Sequence, residues 1–180
     1  MRFVIAITGA SGSMYGIRLL QNLPGEKILV ISEMGRKIIA HETKYSVEEV
    51  EAMADTVFSD DDLFASISSG SYPFDAMFVA PCSGSTLAKI HAGIADTLIT
   101  RAAAVALKES RKLILIPRET PKSTIFLRNE YELSLAGACI LDANPGFYSK
   151  PESLDDIIDF IVGRCMDQVG LEHHLYRKWE

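Results

Sequence analysis

The chain has 180 residues, of which 48% are hydrophobic, and this predicts one well-buried domain, expected at 1–170, followed by a polar tail at 171–180. Its net charge of −6 argues against a generic nucleic-acid binder. The amino-terminal apolar run meets glycine too early for a signal peptide, and no run reaches the roughly 18 apolar residues of a membrane span, so we expect a cytoplasmic protein.

Short apolar runs alternate with helical patterns along the chain, as in βαβ units around a parallel sheet. Strands are predicted at 3–7, 27–31, 55–59, 75–80, 112–116 and 138–141. Helices are predicted at about 13–23, 33–41, 86–92, 97–110, 123–137 and 153–169, with a short helix opened by the capping box of Ser46 and Glu49. The pattern favours a single-domain, doubly wound α/β fold with a mostly parallel sheet.

The loop after the first strand, residues 8–12, is the first candidate site, because open α/β sheets bind ligands beyond the carboxyl ends of their strands. Its glycines permit a tight turn, and the next helix points N–H groups at an anion, although a plain strand-to-helix turn has the same residues. A nicotinamide dinucleotide site would use Glu33 as the ribose-binding acid, but the glycine spacing is G-x-x-G-x-x-x-G. Ser32 can bind a ligand instead, and a mononucleotide fits equally well.

Two later loops end at the same predicted edge of the sheet. Residues 83–86 offer three hydroxyls and a glycine at a helix start, where ordinary capping needs only one hydroxyl and phosphate or flavin-ring binding can use the others. Arg118 and Glu119 lie between Pro117 and Pro121, which stiffen the loop. A plain ion pair is one interpretation of these two side chains, and ligand binding is the other.

Three cations are candidates for an anionic ligand. Arg101 and Lys108 lie two turns apart on one helical face, with no acid at i+3 or i+4 from Arg101. Arg164 falls at the border of the apolar stripe of the last helix. Solvated surface positions explain all three equally simply, with the stem of Arg164 on apolar surface and its head in water.

No metal site is expected. The histidines, at positions 41, 91, 173 and 174, lack H-x-x-x-H spacing. The cysteines, at positions 82, 139 and 165, are an odd set without a C-x-x-C pair, which suits a reducing compartment. Asp155, Asp156 and Asp159 imitate an aspartate-rich magnesium motif, but Ser153 predicts a capped helix start, with Asp156 and Asp159 pointing away from the apolar stripe.

Over nearly its full length the chain resembles the UbiX family of flavin prenyltransferases. The matching stretches, in family order, are ITGASG, Ser32, PCS-x-x-TLAKI, TRAAAVALKE, LIPRETP, PGFY and IVGR, followed by Trp179. The resemblance implies a Rossmann-like or flavodoxin-like FMN-binding domain at 1–170, with the tail at 171–180 closing over the site. It also implies a homododecamer with sites at subunit junctions.

The activity implied by the resemblance is metal-independent transfer of a dimethylallyl group from dimethylallyl phosphate to N5 and C6 of reduced FMN. The prenylated FMN would serve a UbiD-type decarboxylase. Neither nucleic acid nor a membrane is an implied partner. Which decarboxylase is served, and whether the donor is the monophosphate or the diphosphate, stays open at this stage.

The resemblance also implies roles for individual residues. Those expected to contact FMN are Gly9, Ala10, Ser11, Ser32, Ser83, Gly84, Ser85, Thr86 and Arg118. Those expected to bind dimethylallyl phosphate are Arg101, Lys108, Arg118, Tyr148, Arg164 and Trp179, with Arg101 nearby from a neighbouring subunit and Trp179 closing over the site. The implied catalytic group is Glu119 as acid/base, Ser11 and Glu42 for proton movement, and Lys108 at the phosphate.

The chain departs from the family at Gly84 and Ser85, where many relatives have Met-Lys, so one cation near the flavin is missing. An FMN-dependent decarboxylase of the cysteine-decarboxylase type is an alternative, but such proteins carry a PASANT-like motif and a catalytic histidine, and this chain has PCSGST. A non-catalytic FMN carrier is the other alternative, although a carrier has no use for Lys108, Glu119, Tyr148 and Arg164 together.

Overall fold

Six parallel strands form the centre of the molecule in a computed structural model that describes residues 1–179; residue 180, the last of the predicted tail, lies outside the described residues. The strands are β1 (Arg2–Ile7), β2 (Glu26–Ile31), β3 (Thr56–Ser59), β4 (Ala76–Cys82), β5 (Lys112–Pro117) and β6 (Cys139–Ile140). Their order is β3-β2-β1-β4-β5-β6, so the connections reverse direction between β1 and β4. The predicted doubly wound α/β fold is confirmed, and all the strand pairs of this sheet are parallel.

Helices cover both faces of the sheet, because β1 and β4 are apolar without alternation and every residue of 3–7 is fully buried. The helices are α1 (Ser13–Asn22), α2 (Glu33–Glu42), α3 (Val47–Glu51), α4 (Gly84–His91), α5 (Leu98–Lys108), α6 (Thr124–Leu135) and α7 (Leu154–Gln168). Phe3 and Ile5 belong to the core beneath α1, α2, α3 and α7, whereas Val4 and Ala6 belong to the core beneath α4, α5 and α6.

The observed boundaries differ from the predicted ones mainly at prolines and caps. β4 and β5 do not stop before their prolines but include Pro81 and Pro117, and the register of β4 against β5 shifts between Val79 and Cys82, where proline has no N–H for the ladder. α4 begins two residues earlier than predicted because Ser83 caps it. Two short 3₁₀ helices, Ser66–Ser68 and Phe147–Ser149, were not predicted, since three residues carry no periodicity.

The acids at the start of α7 form the predicted cap and one ion pair that was not predicted. Ser153 and Asp156 form a capping box, so the helix-cap interpretation is confirmed. The Asp159 side chain is 18% exposed and accepts hydrogen bonds from Arg18 at 2.5 and 3.2 Å. A helical wheel describes one helix alone and cannot show that α1 packs beside this face.

Within residues 1–179, no group of three or more His, Cys, Asp or Glu side chains could hold a metal ion. Over the same residues, every helix is too short or too polar to cross a membrane.

Candidate active site

A cleft of about 250 Å³ lies at the carboxyl ends of β1, β2 and β4, where the strand order reverses. Open α/β sheets bind their ligands at this kind of position. Five residues that the resemblance assigns to FMN line the cleft: Gly9, Ser32, Ser83, Ser85 and Thr86. Sequence reasoning did not assign several others that line it: Met34, Asp60, Lys89, Thr97, Ile99 and Thr100.

The N-terminus of α4 is the most hydroxyl-rich part of the cleft. The Ser83 Oγ accepts the N–H of Thr86 and lies 3.1 Å from the Ser85 Oγ and 2.9 Å from the Thr86 Oγ1. The Ser83 N–H donates to the Thr8 Oγ1 at 2.8 Å, which joins the end of β1 to the end of β4. Ser83 therefore does the capping, and the hydroxyls of Ser85 and Thr86 are placed beside free helix N–H groups, an arrangement suited to an anion.

Asp60, which follows β3, was missed because nothing in its sequence context marks it. Its Oδ1 accepts the N–H of Ile99 at 2.9 Å, and its backbone oxygen accepts the N–H of Leu98 at 2.7 Å, so it fixes the start of α5 at the cleft. Burial raises the pKa of this carboxyl group, although the hydrogen bonds from Ile99 and Thr97 work in the opposite direction. Asp60 therefore adds a carboxylate to one wall of an otherwise hydroxyl-rich cleft.

The end of β2 supplies Ser32 and Glu33. Ser32 caps α2 by accepting the N–H of Gly35 at 3.0 Å while it also lines the cleft. Glu33 lines the cleft too, but its carboxylate accepts a hydrogen bond from Lys37 at 2.6 Å, which lowers its pKa. The acid that a dinucleotide ribose would require is thus engaged by its own helix.

The loop between β1 and α1 binds a carboxylate of the same chain. The carboxylate of Glu42, the last residue of α2, accepts the N–H groups of Gly12 and Ser13 at 2.8 and 2.7 Å and the Ser11 hydroxyl at 2.9 Å. Gly12 makes this possible with a φ of 107°, in the left-handed region. The expectation that these N–H groups await an external anion is therefore corrected, because Glu42 already occupies the N-terminus of α1.

The loop after β5 projects into solvent beside α1. Arg118 and Glu119 are both exposed, and Glu119 accepts the N–H of Thr120 at 3.0 Å. Arg118 lies close enough to Tyr15 to act on its hydroxyl: burial raises the pKa of Tyr15, and the nearby guanidinium partly offsets this. The two neighbours predicted as a possible ion pair thus have other contacts, and the guanidinium lies near Tyr15 in the first turn of α1.

Two ion pairs of Lys122 beside this loop were not predicted from the sequence. The Lys122 Nζ bridges the carboxylates of Glu130 and Asp142 at 2.8 and 2.5 Å. Burial raises the pKa of Glu130, which Lys122 opposes. The lysine directly after Pro121 was the available signal, but its partners come from α6 and from the end of β6, 8 and 20 residues away.

Tyr148, Arg164 and Trp179 form a second group, around α7 and the tail. The rings of Tyr148 and Trp179 are 5.3 Å apart, with Tyr148 also on Phe160 at 5.6 Å. The Arg164 Nη1 donates to the Asp167 Oδ2 at 2.9 Å. The Arg164 side chain is 45% exposed and lines a separate cavity with residues that include Asp142 and Gly146, so it lies outside the first cleft.

Arg101 and Lys108 do not meet at one anion within a single chain. The Arg101 Nε donates to the Ser68 backbone oxygen at 2.9 Å, whereas Lys108, at the opposite end of α5, contacts the carboxylate of Glu109. An α-helix of 11 residues is about 16 Å long, and α5 runs back toward the amino ends of the strands. The acid that neutralises Lys108 is its sequence neighbour, which the i+3 and i+4 positions from Arg101 do not include. Because Lys108 lies toward the amino ends of the strands and Arg118 at the carboxyl ends, the two can act on one ligand only if a neighbouring subunit supplies one of them.

Comparison with known proteins agrees with this architecture. The flavoprotein family model matches residues 1–166. A flavin prenyltransferase UbiX from Thermoplasma acidophilum is 51% identical over 180 residues, which cover 99% of this chain and 100% of that protein.

Solved structures give the same assignment. A dodecameric FMN-dependent UbiX-like decarboxylase from Escherichia coli O157:H7 is 47% identical with a TM-score of 0.97, covering 100% of both chains. AnUbiX (PadA1), in complex with FMN and dimethylallyl pyrophosphate, is 46% identical with a TM-score of 0.97, covering 99% of this chain and 97% of that one. The FMN-dependent cysteine decarboxylase SpaF, 17% identical with a TM-score of 0.66 over 79% of this chain and 83% of its own, shares the fold alone. This chain belongs to the UbiX family of flavin prenyltransferases.

Proposed function

We propose that this chain joins the dimethylallyl group of dimethylallyl phosphate to reduced FMN, without a metal ion. The observation that carries the proposal is its likeness, at 46% identity and a TM-score of 0.97, to a protein crystallised with both FMN and a dimethylallyl donor. The carboxyl-edge cleft supports it, because Ser32, Ser83, Thr86 and Thr100, which line it, belong to stretches that match the family.

The FMN phosphate is proposed to bind at the N-terminus of α4, between Ser85 and Thr86 and close to Ser32. This position is supported by the hydroxyl cluster there and by Glu42, which blocks the competing N-terminus of α1. One cation remains in the cleft one turn beyond position 85: Lys89 of α4 lines it and is paired with Asp96 at 2.8 Å. Hydroxyls and helix N–H groups would then hold the phosphate.

We further propose that the site is completed by other copies of the chain in a homo-oligomer, with a dodecamer as the expected form. One chain offers a cleft of about 250 Å³, below the roughly 300–1,000 Å³ of pockets that bury a drug-sized ligand. Large apolar side chains are also exposed to solvent, as expected of surfaces that contact other subunits; among them are Phe64, Ile125, Leu135 and Phe147. The Escherichia coli relative is a dodecamer.

In the assembled site, Arg164 and Tyr148 of one subunit and Lys108 of another would hold the donor phosphate, with Arg118 between phosphate and flavin. Arg101 would lie nearby, from a subunit other than the one that supplies Lys108. Breaking the allylic C–O bond leaves negative charge on the phosphate, and preordered cations stabilise that charge without reorganising. Since these side chains suffice for a monophosphate, the proposal needs no metal. Reduced FMN, when bound, supplies the electron-rich ring that accepts the allylic carbon.

Proton handling is assigned to two carboxylates. Glu119 is exposed on its loop, where it can take or return a proton at the assembled site. The Ser11 hydroxyl donates to Glu42 at 2.9 Å, and this contact gives a route for a proton away from the flavin side. The family resemblance alone supports a UbiD-type decarboxylase as the recipient of the product. The unpaired cysteines, which suit a reducing compartment, support the cytoplasm as the proposed location.

Mass spectrometry of the extracted flavin tests the activity. Purified protein incubated anaerobically with reduced FMN and dimethylallyl monophosphate should yield FMN heavier by one prenyl unit, and a parallel sample with the diphosphate should show which donor is preferred. Glu119→Gln should bind FMN but form the adduct slowly, whereas Glu48→Gln, which removes an exposed carboxylate from α3, should match the wild type. Unchanged FMN with the wild-type protein would favour the carrier alternative.

A further inference from the structure

The carboxylate of Asp167 binds several side chains of the tail after α7, which also packs apolar side chains against the core. The Asp167 side chain is 20% exposed, and its Oδ2 accepts hydrogen bonds from the Tyr176 hydroxyl at 2.7 Å and from the Arg164 Nη1 at 2.9 Å. Its Oδ1 accepts from the His173 Nε2 at 3.1 Å, with the Lys178 Nζ at 4.0 Å. Burial works to raise the pKa of Asp167, but the hydrogen bonds from Tyr176 and His173 outweigh it and lower the pKa, so the group is a carboxylate at neutral pH.

The docking of the tail on α7 is close and specific. The His173 side chain is 3% exposed, and its Nδ1 accepts the N–H of Leu175 at 3.3 Å. The Nε2 therefore carries the hydrogen that is donated to Asp167, as the hydrogen-bond network assigns it. Gly163 makes room for this contact: a Cβ there would come within 2.6 Å of both His173 and Tyr176.

A chain of aromatic contacts runs from this anchor to the proposed donor site. Tyr176 packs on Phe160 with ring centroids 4.8 Å apart, Phe160 on Tyr148 at 5.6 Å, and Tyr148 on Trp179 at 5.3 Å. Tyr148, Trp179 and Arg164 are the residues of this chain that the proposed function assigns to the donor. All three are thus connected to Asp167, Arg164 directly and the two aromatics through the docked tail.

We infer that Asp167 is a positioning residue for the prenyl-phosphate donor, an inference that rests on the proposed function. One carboxylate oxygen of Asp167 orients the guanidinium of Arg164 and the hydroxyl of Tyr176, and the other binds His173. The Asp167 side chain therefore positions the phosphate-binding cation and also keeps the tail docked on α7. The contact uses only the Nη1 of Arg164, which leaves other N–H groups of the guanidinium for a phosphate. Because Arg164 and the tail are already ordered before the donor binds, less conformational entropy is lost on donor binding.

Two variants and one control test this inference. Asp167→Asn removes the charge and one strong acceptor, and Gly163→Ala keeps the charge but fills the space in which the tail docks, with a residue that favours helix. Asp159→Asn is the matched control, since Asp159 is on the same helix and 18% exposed but binds Arg18 rather than the tail. Donor affinity is measured by calorimetry with dimethylallyl monophosphate on protein loaded with oxidised FMN, which does not turn over.

Trp179 is the one tryptophan of the chain, so its fluorescence anisotropy in FMN-free protein reports tail docking without any activity. Both Asp167→Asn and Gly163→Ala should lower the anisotropy and weaken donor binding about tenfold, or roughly 1.4 kcal/mol, with FMN affinity unchanged. Asp159→Asn should change neither. In turnover, the two variants should raise KM for the donor more than they lower kcat.

Each contrary result points to a different failure. Unchanged anisotropy in Asp167→Asn overturns the anchor, whatever the activity. If the tail is released in the variants but donor binding is unchanged or tighter, the coupling between tail docking and donor affinity is overturned. Removal of a nearby negative charge would then have the larger effect on donor binding. A wild-type protein that binds the donor but forms no adduct refutes the proposed function while the anchor and its effect on affinity stand; a wild-type protein that does not bind the donor refutes both.

Discussion

Replacing Glu42 with Gln tests whether its carboxylate is the anion that closes the N-terminus of α1. The carboxylate accepts hydrogen bonds from the N–H groups of Gly12 and Ser13 and from the hydroxyls of Ser11 and Ser13. Hydrogen bonds to charged groups contribute roughly 1.5–3 kcal/mol each, and a negative charge at a helix N-terminus about 0.3–1 kcal/mol. Glu42 is partly exposed and the amide oxygen of Gln still accepts some of these bonds, so we expect a loss of about 1–2 kcal/mol in the free energy of unfolding.

Urea denaturation at fixed protein concentration measures this loss, which corresponds to a Tm decrease of roughly 2–8 °C for a chain of this size. Glu33→Gln is the matched control, because it removes the same charge from the other end of α2, where Glu33 is exposed and pairs only with Lys37 among the contacts described above. The control should lose less stability: Glu33 lies in the first turn of α2, where its charge favours the helix, but its pair with Lys37 is on the surface. Equal effects in the two variants would refute the assignment of Glu42 as the internal anion.

The pH dependence of the same difference gives a second check. Burial works to raise the pKa of Glu42, but the hydrogen bonds from Ser13, Gly12 and Ser11 together lower it. A carboxyl group whose native pKa is lowered stabilises the fold above its unfolded pKa, and this contribution is lost as the pH falls through the native pKa. The stability difference between wild type and Glu42→Gln should therefore be constant near neutral pH and shrink below about pH 4.

Two further predictions concern the proposed site. Ser83→Ala should cost about 1 kcal/mol of stability and also weaken FMN binding. The control, Ser46→Ala, removes the cap of α3 away from the cleft and should lower stability alone. If fluorescence titrations show the same FMN affinity for Ser83→Ala and wild type, Ser83 is not part of the flavin site. Lys108→Ala and Arg164→Ala should each abolish adduct formation, yet subunits of the two variants reassembled together should recover part of the activity if each site uses one residue from each of two subunits. No recovery in mixed assemblies would contradict the shared site.

The strands and helices could be read from the chain because their signals are local. A parallel strand covered on both faces is a continuous apolar run, as in β1 and β4. Helix starts were visible in Ser46 and Ser153, whose caps act within three residues. The errors at this level, such as strands that run through Pro81 and Pro117, involve one or two residues at boundaries.

The partners of the site residues were not readable in this way. Glu42 is 30 residues from Gly12 in the chain, Asp159 is 141 from Arg18, and Lys122 is 20 from Asp142. Nothing in local composition distinguishes these acids from the others on the surface. Which acid reaches which helix end depends on how α2, α7 and β6 are placed around the sheet.

Sequence by itself determined the order of strands and helices, the loops that end at the carboxyl edge of the sheet, and the residue types available there, because periodicity and capping depend on neighbours a few positions apart. Only the tertiary structure decided that Glu42 fills the N-terminus of α1, that the hydroxyls of α4 face the cleft, and that Arg101 donates to the Ser68 backbone oxygen. Long-range contacts are set by packing across the whole fold, and a charge finds its partner by position in space rather than by distance along the chain.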